Sequence, residues 1–115
     1  MREIKFRAWD KAINKMKSFI DLKKYPIDIL IDNSQLIFMQ YTGLKDKNGK
    51  EMFEGDIVRV GNYVYKVIID IAKGLFFECI KHLSLRGGDI YYTEFIKDVN
   101  IEVIGNIYEN KNLLE

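Results

Sequence analysis

Two carboxylates, Glu54 and Asp56, flank Gly55 in the segment Met52-Phe53-Glu54-Gly55-Asp56-Ile57-Val58. Side by side in a turn between apolar residues, they are the pair best placed for acid–base work or for holding a cation in a metal-dependent hydrolase. Two carboxylates without a histidine or a third acidic ligand to complete them make a poor site. The geometric reading is favoured, because a turn aspartate commonly accepts hydrogen bonds from backbone amides. Cys79 and His82, the only cysteine and histidine, stand three positions apart. On a strand that spacing sends them to opposite faces, so they do not make a nucleophile–base pair. Cys79 reads as a small core residue and His82 as a strand-end side chain. The chain contains no G-x-S-x-G, no phosphate-cradling glycine loop and no CxxC. The expectation is a protein that is not an enzyme, with no catalytic residue, metal or cofactor.

A second group of residues points to binding. Lys5, Arg7, Trp9 and Lys11 interleave cations with an aromatic ring, and Tyr91 and Tyr92 supply a second aromatic pair. Such a surface suits single-stranded nucleic acid, whose phosphates meet the cations while its bases stack on rings. The formal net charge of +1 is far from the strongly basic footprint of dedicated nucleic-acid binders. Charge is instead segregated along the chain. Residues 1–24 hold eight basic and three acidic side chains, and the rest hold ten basic and fourteen acidic ones. That asymmetry fits either nucleic acid or a homo-oligomer in which the basic strand of one subunit meets an acidic face of another, with Trp9 as the apolar anchor. Lysines guarding a solvated edge strand explain it equally well.

Strands joined by tight turns must position these residues. Ile4-Lys5-Phe6-Arg7-Ala8-Trp9 alternates, with Ile4, Phe6 and Ala8 on one face and Lys5, Arg7 and Trp9 on the other, so it reads as a half-buried strand. A second strand is expected over Met16–Ile20. Ile27–Ile31 and Leu36–Tyr41 read as a hairpin about Asp32-Asn33-Ser34, with a short helix over Ile27–Ile31 as the rival. Asn48-Gly49 marks a two-residue hairpin, Gly55 suits the third position of a type II turn, and Gly43 is placed for a further reversal. Strands then follow over Asp56–Val60, Tyr63–Ile71, Leu75–Ile80 and Ile101–Tyr108, the last interrupted at Gly105. Gly87-Gly88 marks a loop, and Thr93–Asp98 one helical turn.

The 115 residues suit one domain, and 48% hydrophobic with 30% charged content excludes a disordered tail. The N-terminus has no apolar signal-peptide core, and no apolar run is long enough to cross a bilayer. With one cysteine and no internal disulfide, the expected compartment is the cytoplasm, away from membranes. Short strands without a long amphipathic helix predict an all-β fold, a small antiparallel barrel or sandwich.

Three blocks span the chain: Arg2-Glu3-Ile4-Lys5-Phe6-Arg7-Ala8-Trp9-Asp10, Met39-Gln40-Tyr41-Thr42-Gly43-Leu44-Lys45-Asp46 through Glu54-Gly55-Asp56-Ile57-Val58, and Glu102-Val103-Ile104-Gly105-Asn106-Ile107-Tyr108-Glu109-Asn110. Together they resemble the YopX family of small proteins carried by phages and prophages of low-GC Gram-positive bacteria. Lys111-Asn112 stands where family members often have a proline and an acidic residue. The resemblance implies an SH3-like β-barrel with added N-terminal strands and at most short helical turns. It divides residues 1–115 into a strand layer and hairpin (1–51) and a barrel portion (52–115). It carries no catalytic residues with it; because no nucleophile, base and orienting group can be assembled, the expectation is a phage accessory protein that binds a phage or host macromolecule in the bacterial cytoplasm.

Overall fold

The computed structural model describes residues 5–70, 72, 74–82, 90–92 and 100–114. It is mainly β. Strand β1 (Phe6–Asp10) turns into β2 (Lys15–Lys17), two short helices follow, α1 (Phe19–Leu22) and α2 (Ile27–Ile31), and the long β3 (Leu36–Lys45) returns. A hairpin leads to β4 (Glu51–Phe53). Beyond it come β5 (Asp56–Val60), β6 (Tyr63–Asp70), β7 (Gly74–His82), β8 (Ile90–Tyr92), β9 (Glu102–Asn106) and a closing 3-10 turn (Lys111–Leu114). The strands form two antiparallel sheets, ordered β2-β1-β3-β4 and β8-β7-β6-β5-β9. The helical turn expected over Thr93–Asp98 and the Gly87-Gly88 loop lie outside the described residues.

Local chemistry explains three departures from the expected elements. The strand predicted over Met16–Ile20 stops at Lys17, because Ser18 caps a helix. Its hydroxyl accepts the Asp21 N–H and donates to the Asp21 carboxylate. Ile27–Ile31 is helical rather than half of a hairpin. Pro26 needs no hydrogen-bond partner for its nitrogen at a helix start, and Leu30 alone is carried into the interior. Gly43 does not reverse the chain. Tyr41 pairs with Phe53 and Lys45 with Glu51, so the residues between them bulge out of a continuous strand. The Thr42 hydroxyl supports the bulge by donating to Met52 O at 2.8 Å and accepting Leu44 N–H at 3.1 Å.

The alternation along β1 is as expected, but neither face is solvated throughout. Phe6 and Ala8 pack with Leu22, Leu30 and Leu36 beneath the helices. The other face turns Arg7 and Trp9 towards residues of the second sheet and its C-terminal turn. The larger core gathers Val58, Tyr65, Val67, Phe77, Cys79 and Ile101 around Met52, whose strand belongs to the first sheet. The boundary drawn between residues 51 and 52 thus falls inside β4, and Met52 ties the two sheets together.

Asp46 is a second tie. Its carboxylate accepts the N–H groups of Asn48 and Lys50 inside the hairpin loop, and that of Val103 in β9. Burial alone would raise its pKa. The Val103, Lys50 and Asn48 amides and the Lys50 charge outweigh that and hold it below the usual aspartate range. No helix of the described residues is long and apolar enough to cross a membrane.

Candidate functional site

The Glu54-Gly55-Asp56 turn crosses from the first sheet to the second. Gly55 takes a left-handed φ of +87°, the geometry expected of its turn position. That places Asp56 inside the protein, the whole residue 1% exposed. One carboxylate oxygen accepts the Phe53 N–H at 2.8 Å and the other meets the Arg7 guanidinium at 2.7 Å. Arg7 also donates to Glu54 O and lies over the Phe53 ring at 4.9 Å, while its Nε is buried with no hydrogen-bond partner. Burial raises the Asp56 pKa, opposed chiefly by the Arg7 charge and the Phe53 amide. Glu54 is held in turn, its carboxylate accepting Gln40 N–H and its own N–H donating to Gln40 O. Both carboxylates are therefore engaged in joining β1, β3 and β5. Among the described residues no cluster of three His, Cys, Asp or Glu side chains could hold a metal.

The N-terminal cations do not form one open strip. Lys5 pairs with Glu51 and lies over the Tyr41 ring, and Arg7 is covered at the Asp56 joint. Trp9 stacks on Tyr108 of the same chain, with centroids 5.5 Å apart and planes 14° from parallel. Lys11 is exposed in the turn after β1. Tyr91 and Tyr92 lie in β8, and their side chains are outside the described residues, as is that of His82 at the end of β7. Cys79 is a free, buried core thiol, as its neighbours in sequence imply.

What the sequence did not disclose is an apolar groove of about 300 Å³ between α2 and the first sheet. Phe6, Ile27, Ile31, Phe38 and Met39 line it, and Gln40 and Glu54 close one side. Phe6 is fixed edge-on between Phe19 and Phe38, at 5.1 and 5.6 Å. Ile27 and Ile31 remain 60% and 69% exposed. Of the nine large hydrophobics exposed among the described residues, seven lie between Ile13 and Phe38. The one available signal was the run Ile27-Asp28-Ile29-Leu30-Ile31-Asp32. As a helix it can bury only part of its four aliphatic residues, and the remainder must face outwards.

The profile of the YopX protein family matches residues 17–115. Among solved structures, the chain is similar to the crystal structure of protein EF1440 from Enterococcus faecalis. The two share 26% sequence identity over the full length of both chains, with a TM-score of 0.68. A search of curated proteins finds no match.

Proposed function

The chain belongs to the YopX family, and we propose that it is a non-enzymatic accessory protein of a phage or prophage. In this reading it works in the host cytoplasm and binds another protein through the apolar face of its N-terminal half. The five-stranded sheet is the SH3-like barrel portion, and the four-stranded sheet is the layer that carries the binding face. One observation supports the reading above the others: among the described residues, the exposed large hydrophobics concentrate between Ile13 and Phe38, four of them on α1 and α2. Ile27, Ile31 and Phe38 meet in one groove, and a shared apolar surface marks interaction sites on folded proteins, whereas single exposed apolar residues are ordinary. The buried joint at Asp56 and the covered Arg7 favour neither a hydrolase nor a nucleic-acid strip.

The test is affinity capture from phage-carrying cells with the wild type and with an Ile27→Asp/Ile31→Asp variant. Both positions are exposed, so the variant retains the circular dichroism spectrum and melting temperature. Specific protein partners lost from the variant support the reading, and identical captured sets overturn it. Metal-dependent turnover sensitive to Glu54→Gln would restore the hydrolase. Salt-sensitive retention of single-stranded DNA on filters would restore nucleic acid as the partner.

A further inference from the structure

We propose that the groove between α2 and the first sheet receives the β1–β2 turn of a second copy of this chain. The inference rests on the reading of the apolar face as a protein-binding surface and names one occupant for it.

The groove sets the chemistry of what can fill it. Its lining is apolar apart from Gln40 and Glu54. Asp28 and Asp32, both exposed, each follow a groove-lining isoleucine, and the segment from Ile27 to Asp32 contains no basic residue. A complementary occupant carries one aliphatic knob flanked by cations. Acidic side chains around the knob would be repelled by Glu54 at the groove and by the exposed Asp28 and Asp32 next in sequence to its isoleucines.

The chain presents such a knob. Lys11–Asn14 forms the turn joining β1 to β2, with Ile13 at 53% exposure and exposed Lys11 and Lys15 on either side. The turn is held before any partner arrives. Lys11 N–H donates to Gln35 O at 2.8 Å, Ala12 N–H donates to the Asp10 carboxylate at 3.0 Å, and Asn14 takes a left-handed φ of 53°. A preformed knob loses little conformational entropy on docking.

The chain's own knob is remote from its own groove. Phe6, which lines the groove, begins β1, and Lys11 follows its last residue. At about 3.3 Å per strand residue the two are separated by roughly 17 Å along the strand, and Phe38, the lining residue opposite Ala8, is still roughly 10 Å from Lys11. Only a second molecule brings them together. Exposed ion pairs contribute little individually, so Ile13 supplies the anchor while the lysines set orientation and exclude wrong partners.

Light scattering on the eluting full-length protein over a concentration series tests the contact. The expected mass exceeds that of one chain, equal to two chains if the exchange is reciprocal and rising with concentration if it runs head to tail. Ile13→Glu and Ile31→Glu, both at exposed positions, each weaken association by about tenfold or more. A charge swap separates this contact from any other. Lys11→Glu/Lys15→Glu places an acidic knob against an acidic rim, and Asp28→Lys/Asp32→Lys a basic knob against a basic rim, so each variant alone associates more weakly. An equimolar mixture restores association, because each knob then meets a rim of opposite sign. A wild type that stays monomeric at every concentration overturns the inference while leaving the binding face to the capture experiment. An oligomer indifferent to Ile13→Glu and Ile31→Glu, or a mixture that fails to reassociate, also overturns it.

Discussion

Arg7 of β1 and Asp56 of β5 meet at 2.7 Å and bind the four-stranded sheet to the five-stranded one, with side-chain exposures of only 12% and 2%. Removing one partner leaves the other charge buried and uncompensated. Asp56→Leu or Arg7→Met is expected to cost about 3–5 kcal/mol, and the Arg7→Met/Asp56→Leu pair much less than the sum of the two single losses. Urea midpoints of the singles and the double close the cycle. Additive losses would show that the two side chains act independently.

Asp46 makes stability depend on acid. Its carboxyl is held below the ordinary aspartate value in the native state. Its stabilisation is therefore complete above the unfolded value of about 4 and is lost as pH falls through the lower native pKa. The raised Asp56 works in the opposite sense. The native protein retains that proton to higher pH than the unfolded chain, so this group lowers stability as pH rises from about 4 through its native pKa. Asp46→Asn should cost about 1–3 kcal/mol at pH 7, because an amide replaces an acceptor of three N–H groups. The gap to wild type should narrow below about pH 4. A gap unchanged between pH 7 and pH 3 would remove Asp46 from this role.

Gly55 and Gly49 separate backbone strain from crowding. Both have left-handed φ, +87° and +81°. A Cβ at Gly49 meets nothing within 4 Å, whereas one at Gly55 lies 3.1 Å from the sulfur of buried Met39. Gly49→Ala should cost about 1–2 kcal/mol from conformation alone. Gly55→Ala should cost more, because Met39 must also give way. Thermal melts of the two variants rank them, and equal losses would contradict the crowding at Met39.

Trp9, the chain's only tryptophan, reports on the C-terminal turn through its stack with Tyr108. Tyr108→Ala uncovers one ring face, so the emission maximum should move to the red. Stability should fall by about 1 kcal/mol from the lost pair, beyond the area exposed. Unchanged emission in a folded Tyr108→Ala protein would show that the stack does not form in solution.

The elements most legible in the sequence were those governed by neighbours along the chain. Asn48-Gly49 marks a reversal as expected, although the loop closed by the Asp46 N–H to Lys50 O bond is longer than two residues and only Gly49 in it takes a left-handed angle; Gly55 takes one at the sheet-to-sheet crossing. Alternation put Phe6 and Ala8 on one face of β1, and the core beneath the helices covers that face. The Ser18–Asp21 cap that ends β2 early is equally local, but the run Met16–Ile20 reads as a strand across it.

Other features depended on partners far away in sequence. Arg7 and Trp9 occupy the polar-looking face of β1, and periodicity cannot say that another sheet will cover that face and pair Arg7 with a residue 49 positions later. Nor can local pattern decide Ile27–Ile31, since a short apolar run is compatible with strand or helix until the core accepts one of its side chains. The core accepts Leu30, and the isoleucines beside it are left on the surface. The sequence by itself determined the reversals at Asn48-Gly49 and Gly55, the mainly β class and the family. Tertiary packing decided which charges were neutralised and which apolar residues stayed uncovered, because burial is a property of the assembled surface rather than of any segment.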